Sequence, residues 1–322
     1  MTALALAHAL KTIAMPAGRR LWLYSDPLDA EGDVYTPWYH AAHKSSPSRI
    51  HFHTGIETLA PHYEAVIMNS PKQQAEAEGL LALALQRSNG FVMAVAPKTA
   101  GGSRLAAMME AYGVSFETLS KDSCRVVWTF NAYEAKRDII AKNVTNLDLL
   151  QVTLDNEVWW TVPGLFGWDK IDIGSRLLLH HLPKNLYGHV ADFGCGYGYI
   201  AVSLSRLYPT INKIDAYDIH AQAVAATARN SDEKIQAIWM DVKTLPAQQR
   251  YDAVVMNPPF HSGKKEDIAL GESFIRAAWN SLKPRGRLFF VANRHLPYEK
   301  IIPDLTHLYE GEGFKILTGT RR

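Results

Sequence analysis

Asn257-Pro258-Pro259-Phe260 follows directly on the apolar run Tyr251-Asp-Ala-Val-Val-Met256. These four residues combine an amide side chain, a carbonyl fixed by a proline and an aromatic face. That is the equipment for holding the amino group of a flat heterocycle. Adjacent prolines supply no ladder donors and force the chain out at the strand's C-terminal end, which is where open α/β sheets bind ligands. Taken alone, the tetrapeptide also fits an ordinary strand-ending turn.

The upstream sequence supplies the elements that would position it. Gly188-His-Val-Ala-Asp192-Phe-Gly194-Cys-Gly196-Tyr-Gly198 is a short strand entering a glycine cluster, and Tyr199–Tyr208 has helical spacing and stops at Pro209. Glycines allow sharp turns and close approach of a ligand, and the helix N-terminus offers free N–H groups. A second strand, Lys213-Ile-Asp-Ala-Tyr217, ends in Asp218, which lies 218 − 196 = 22 residues beyond Gly196. From there a carboxylate reaches ribose hydroxyls. A third, Ala237-Ile-Trp-Met-Asp241, ends in an acid placed to accept from an adenine amino group. The loop reads D-F-G-C-G-Y-G, and its entering Asp192 suits a cationic ligand better than a pyrophosphate, which it would repel. The pattern resembles motif I of the class I S-adenosylmethionine (SAM) methyltransferases.

The chain of 322 residues is long enough for two domains. Its 47% apolar and 20% charged residues are ordinary for a globular protein. Two cysteines, Cys124 and Cys195, are too few for a disulfide framework, and no histidine joins a CxxC-type metal pattern. His51/His53 and His180/His181 read as surface or loop residues, and Cys195 as a small loop residue without a redox role. Ala3–Leu10 is too short for a membrane span and reads as a capped surface helix. A net charge of +2 confines any nucleic-acid contact to local patches. A cytoplasmic enzyme is expected.

The first half repeats the second. Tyr63-Glu-Ala-Val-Ile-Met-Asn69-Ser-Pro71-Lys72 mirrors Tyr251–Phe260 at an offset of 257 − 69 = 188 residues, and each copy is followed by a helix, a glycine and a strand. Helices are expected over 72–88 and 265–283, and again over 102–112 and 298–310. The first copy has no glycine cluster after Arg20–Tyr24, and Lys72 stands where the aromatic residue should be. It therefore reads as degenerate, keeping the fold without the cofactor loop. Only Gly313–Thr318 reads as a strand after the last expected helix, whereas the first half has strands at both 114–119 and 125–130. One strand is thus expected to be missing, with the native chain running on about ten residues or residues 313–322 packing atypically. His261–Ile268, an insertion relative to the first copy, is a candidate substrate loop.

Beyond these motifs the chain resembles the bacterial two-domain ribosomal-RNA guanine-N2 methyltransferases. Pro163-Gly-Leu-Phe166 with Asp172-Ile-Gly174-Ser-Arg-Leu-Leu178, Val291-Ala-Asn-Arg-His-Leu-Pro297 and the degenerate first copy all carry that likeness. Gly167-Trp168 departs from the group's usual serine and polar residue. The resemblance implies two tandem Rossmann-like α/β domains: a degenerate one over 1–133, a linker helix over 134–151 and a catalytic domain over 152–322. It implies SAM as cofactor, held by Asp192, Gly194, Gly196, Gly198, Asp218, Asp241 and Asn257. Ribosomal RNA, free or in a subunit, is the implied partner, with Asn257, Pro258, Pro259 and Phe260 as catalytic residues. Phe166, Lys264 and Arg294 are candidate substrate contacts. Lys265, Arg285, Arg287 and His295 are expected beside them on the cofactor edge, as phosphate ligands or a solvated rim. Trp159 and Trp160 fit either base stacking or the core of a hairpin over 152–161, and Asp172 either a cofactor-site contact or a helix cap. Adenine in DNA and a protein glutamine are alternative substrates for such a tetrapeptide, and a non-catalytic RNA- or SAM-binding scaffold is the alternative from another class.

Overall fold

A computed structural model of the chain describes residues 2–25, 32–42, 50–53, 55–259, 265–302 and 304–322. Phe260 and Lys264, with the first half of the candidate substrate loop, lie outside them. The chain divides into two compact units, Met1–Leu149 with Val162–Gly164, and Leu150–Thr161 with Leu165–Arg322.

The first unit contains α1 (Thr2–Thr12), β1 (Arg20–Leu23), β2 (Gly32–Tyr35), α2 (Tyr39–Ala42), β3 (Ile50–His53), β4 (Tyr63–Asn69), α3 (Gln74–Arg87), β5 (Ser88–Pro97), α4 (Leu105–Tyr112), β6 (Glu117–Lys121), β7 (Cys124–Thr129) and α5 (Arg137–Val144). The second contains the hairpin β8 (Leu150–Leu154) and β9 (Glu157–Thr161), then α6 (Ile173–His181), β10 (Gly188–Phe193), α7 (Tyr199–Leu207), β11 (Ile211–Asp218), α8 (Ala221–Asn230), β12 (Ile235–Trp239), β13 (Tyr251–Met256), α9 (Lys265–Ser281), β14 (Leu282–Asn293), β15 (Thr306–Gly311) and β16 (Phe314–Thr320).

Each unit is built on a seven-stranded sheet among the described residues. The orders are β3-β2-β1-β4-β5-β7-β6 and β12-β11-β10-β13-β14-β16-β15, position for position the same. Six strands of each run in one direction, and only β7 or β16, between the last parallel neighbour and the edge strand, runs antiparallel to both. The central strands are near-continuous apolar runs because helices cover both faces. Val66, Ile67 and Met68 of β4 and Val254, Val255 and Met256 of β13 are all fully buried. The chain order reverses between β10 and β13, which opens a crevice at their C-terminal ends.

Three expectations need correction. The helix expected over 298–310 is only a 3-10 turn at Tyr298–Lys300, and Thr306–Gly311 is β15, paired antiparallel with β16. The apparently missing strand is therefore present within this chain. It was hidden because its faces are mostly exposed, so the apolar alternation that marks a strand is weak. Second, β14 begins at Leu282, so Arg285 and Arg287 sit at its N-terminal end, away from the cofactor edge. Arg287 instead donates to Asn185 Oδ1 (3.0 Å) and to the Asn185 carbonyl (2.8 Å). Third, α1 is no mere surface helix, since its Ala5, Leu6 and Ala9 are buried against Trp22, Ile67 and Phe91. The stretch expected as a linker helix contains α5, whose Ile140, with Leu147 beyond it, is buried in the first unit's core.

Candidate active site

β13 delivers Asn257 to the crevice, and the sequence before β10 fixes its side chain. Asp172 is the N-cap of α6, its Oδ2 accepting from Ser175 N at 2.8 Å. The same oxygen accepts from Asn257 Nδ2 at 2.8 Å, and Ser175 Oγ accepts from that nitrogen at 2.9 Å. Both amide protons of Asn257 are thereby committed, which leaves its Oδ1 as the acceptor available to a ligand. Asp172 is thus both helix cap and site residue. Asn257, Pro258, Asp172, Phe166, Ala292, Asn293 and Phe314 line a cavity of about 200 Å³.

Neither Asn293 nor Phe314 is among the candidate contacts of the sequence, although Asn293 falls within the Val291–Pro297 stretch that carries the family likeness. Asn293 ends β14 and pairs with Phe314 at the start of β16. A Cβ on Gly174 would lie 3.2 Å from the Phe314 ring, so the glycine lets that ring rest against the first turn of α6. The internal repeat offered a signal for Asn293, whose counterpart also ends a central strand. Phe314 carried no local signal, because an antiparallel return strand brings it in.

The glycine loop lies at the end of β10. Gly194 (φ 83), Gly196 (φ 56) and Gly198 (φ 95) all adopt the left-handed region. A Cβ on Gly196 would meet nothing nearer than the Phe166 carbonyl oxygen at 3.9 Å. The space above that glycine is open, as a cradle for a ligand requires. Gly198 instead packs closely, since a Cβ there would come within 3.1 Å of Thr227 Oγ1.

Asp218 ends β11, its Oδ2 accepting from Gly196 N and its Oδ1 from His220 N, each at 2.9 Å. Burial pushes its carboxyl up to about 6, against the lowering effect of these backbone N–H groups. It ties the second strand to the loop and is half-buried. Asp192 lies deeper. It is fully buried beneath the loop, its Oδ2 accepting from Ala201 N in the first turn of α7 at 3.1 Å. Burial raises its carboxyl to about 8. Its Oδ1 is buried without a hydrogen bond, so Asp192 braces the loop from beneath through Ala201 N. Asp241 caps a 3-10 turn, accepting from Lys243 N at 2.9 Å.

Of the remaining candidates, Phe166 is half exposed at the cavity, and Arg294 and His295 are exposed just past β14 at the crevice edge. Trp159 is a core residue, packed against Tyr197 and Tyr199, and Trp160 lies beneath Arg229 at 4.9 Å. Cys195 is buried, with Sγ 3.3 Å from Thr227 Oγ1. His181 stacks on Tyr309 at 4.0 Å. Among the described residues no His/Cys/Asp/Glu group could hold a metal, and no helix is long and apolar enough to cross a membrane.

A doubly wound sheet with a glycine loop, an acid ending the second strand and an Asn-Pro-Pro exit from the strand across the switch point defines a class I methyltransferase. Residues 157–318 match the family model described as the methyltransferase small domain. Ribosomal RNA small subunit methyltransferase C of Pseudomonas aeruginosa is 30% identical over 98% of this chain and 96% of its own length. The protein of that name from Psychromonas ingrahamii is 36% identical over 49% of this chain, an alignment that spans about half (47%) of the relative. The chain therefore belongs to the ribosomal RNA small subunit methyltransferase C family. In fold it is similar to the T. thermophilus 16S rRNA N2 methyltransferase RsmC, solved with AdoMet and guanosine (TM-score 0.81, 22% identity, 99% of this chain and 92% of that one).

Proposed function

We propose that this chain methylates the exocyclic N2 amine of a guanine in small-subunit ribosomal RNA, with SAM as methyl donor. The observation that carries the reading is the locked amide of Asn257. With both N–H groups engaged by Asp172 and Ser175, only an acceptor faces the cavity, so the site is built to receive a donor such as an amino group.

When bound, SAM supplies an electrophilic methyl group on a sulfonium. Gly194 and Gly196 leave room for it, and Asp218 would accept from its ribose hydroxyls. Asp241 is assigned to the adenine end. A guanine amine is a poor nucleophile because its lone pair is delocalised into the ring. Asn257 Oδ1 and the Pro258 carbonyl accept its two hydrogens, turn the lone pair toward the methyl group and stabilise the positive charge that nitrogen gains. Methyl transfer would leave that nitrogen as an ammonium acidic enough to lose its proton to water, so the chain need supply no strong base. Pro259 stiffens the turn, and Phe260 is assigned to stack on the base. Phe166 and Phe314 offer further apolar walls, and the base must leave its stack to reach them. Arg294 and Lys264 are assigned to RNA phosphates. The substrate makes the cytoplasm the expected place of reaction.

The test is to incubate the protein with labelled SAM and either free ribosomal RNA, assembled small subunits or DNA, then digest and identify the labelled nucleoside. N2-methylguanosine from RNA is expected. Label in methyladenine, or in protein glutamine, would overturn the reading.

A further inference from the structure

We propose that Asp172 selects the base: its Oδ1 accepts the N1–H of guanine while its Oδ2 holds Asn257. This rests on the guanine reading and deepens it. The two oxygens of Asp172 are placed differently. Oδ2 takes two donors, Ser175 N and Asn257 Nδ2, each at 2.8 Å. Oδ1 takes no hydrogen bond from the described residues, and the side chain is half-buried in the wall of the cavity that Asn257 also lines.

That oxygen is open to solvent at the cavity, and a base that excludes water from it must supply a donor in return, because a carboxylate oxygen left unpaired under the base is costly. Guanine provides the missing partner. On one edge it presents N1–H next to the N2 amine, so a base whose amine is held by Asn257 brings its N1–H toward the neighbouring acid. Adenine carries a lone pair at its own N1, which would face the carboxylate and be repelled. The acid therefore rejects the wrong base as well as favouring the right one. The same Oδ2 bond fixes the distance between the two acceptors, because the amide and the carboxylate are joined directly. Ser175, buried beneath both, completes the clamp.

The acceptor pair makes a substitution with a chemical signature. In Asp172→Asn the introduced amide keeps its oxygen toward Ser175 N and Asn257, both donors, and so turns its NH₂ into the cavity. It would then donate where the carboxylate accepted. Asparagine is as good an N-cap as aspartate, so α6 should stay intact. The matched probes are guanosine and 2,6-diaminopurine riboside, which keeps the N2 amine but carries an acceptor at N1. Dissociation constants are measured with S-adenosylhomocysteine present, and melting temperatures confirm folding. The native protein should prefer guanosine by about 10- to 100-fold, the range expected for one charge-assisted hydrogen bond.

Asp172→Asn should bring that ratio to about one or invert it, through both weaker guanosine and tighter diaminopurine binding. A residue acting only as a helix cap would leave the ratio unchanged. Asp172→Ser keeps a capping side chain but withdraws the cavity acceptor, so it should lose the preference through weaker guanosine binding alone. An unchanged ratio in both variants, or no guanosine binding in the native protein, overturns the proposal. The labelled-nucleoside assay on native protein separates the two readings. If N2-methylguanosine forms and the ratio does not move, only the role of Asp172 fails; if it does not form, the functional reading fails first.

Discussion

The two units place different residues on the same backbone positions. The ladders fix the correspondence, because Leu21 pairs with Val66 as Ala191 pairs with Val254, and 254 − 66 = 188 is the repeat offset. Carried through the neighbouring strands, Tyr24 stands at the place of Gly194, Thr36 at Asp218, Pro97 at Asn293 and Cys124 at Phe314. Even the loop's first bond is repeated: Tyr24 N donates to the Tyr35 carbonyl (3.0 Å) as Gly194 N donates to that of Tyr217 (2.8 Å). Tyr24 keeps the left-handed backbone (φ 53) but adds a ring, stacked on Tyr35 at 5.9 Å. The first unit therefore keeps the shape of a cofactor loop while losing the space and the acid that make one work.

What both units retain is at the other end of the strands. Tyr63 Oη donates to the buried Asp33 (2.5 Å), and Tyr251 Oη to the buried Asp215 (3.0 Å), at equivalent positions. A cation joins each acid, Arg19 at 2.7 Å and Lys213 at 3.0 Å. Buried carboxylates need such partners wherever they occur, so this network belongs to the fold, whereas the proposed chemistry rests on Asn257, Asp218 and the glycines.

The sharpest way to break that division is at the paired asparagines. Asn257→Ala should lower kcat by roughly tenfold to a thousandfold, judged from losses of single polar groups that stabilise transition-state charge. SAM affinity should stay near native, and Asn69→Ala should leave the rate unchanged. Single-turnover methyl transfer with parallel SAM titrations checks both, and equal loss of SAM binding would remove Asn257 from the catalytic role. Asp218→Thr copies the first unit's residue into the second. It should weaken SAM binding by about 10- to 100-fold, since a charged acceptor is lost, with little change in kcat at saturation.

The pH dependence of the same acid gives a smaller, graded effect. Burial raises its folded pKa from 3.8 to about 6, so the carboxylate that accepts hydroxyls is depleted below that value. SAM affinity should be flat above about pH 6 and fall by up to about tenfold per unit below it. The linkage to folding has the opposite sign. The native state holds this proton more tightly than the unfolded chain, so the group's contribution to stability is fully present below 3.8 and is lost as pH rises through about 6. SAM affinity independent of pH between 5 and 7 would show that Asp218 does not bind the cofactor as its ionised form. Smallest in catalytic effect are Tyr251→Phe and Tyr63→Phe. Each should cost about 1–3 kcal/mol in chemical denaturation by leaving a buried acid short of a donor, and neither should alter kcat by more than a small factor.

Much of this was legible before the fold was in hand. The glycine loop, Asp218 and Asn257 announce themselves because each must be a particular residue type at a strand end, and strand ends are marked by apolar runs. The repeat was legible because the buried strands of both units need the same apolar residues. Thr306–Gly311 carries little strand signal in the sequence because a mostly exposed edge strand has no apolar alternation to show. Arg285 and Arg287 precede the apolar run of β14 and so lie at its N-terminal end, opposite the cofactor edge, because parallel strands meet the crevice with their C-terminal ends.

By itself the sequence determined the strand–loop–helix units, their duplication and which copy carries the glycine loop and the Asn-Pro-Pro exit, since these depend on residue types within short spans. The tertiary structure decided what joins across the chain. Asp172 and Asn257, 85 residues apart, meet through a single carboxylate oxygen, and Phe314 reaches the cavity only because β16 returns antiparallel beside β14. Such contacts have no local signature, because they follow from how the strands order themselves and a hydrogen bond forms only where that order brings its partners together.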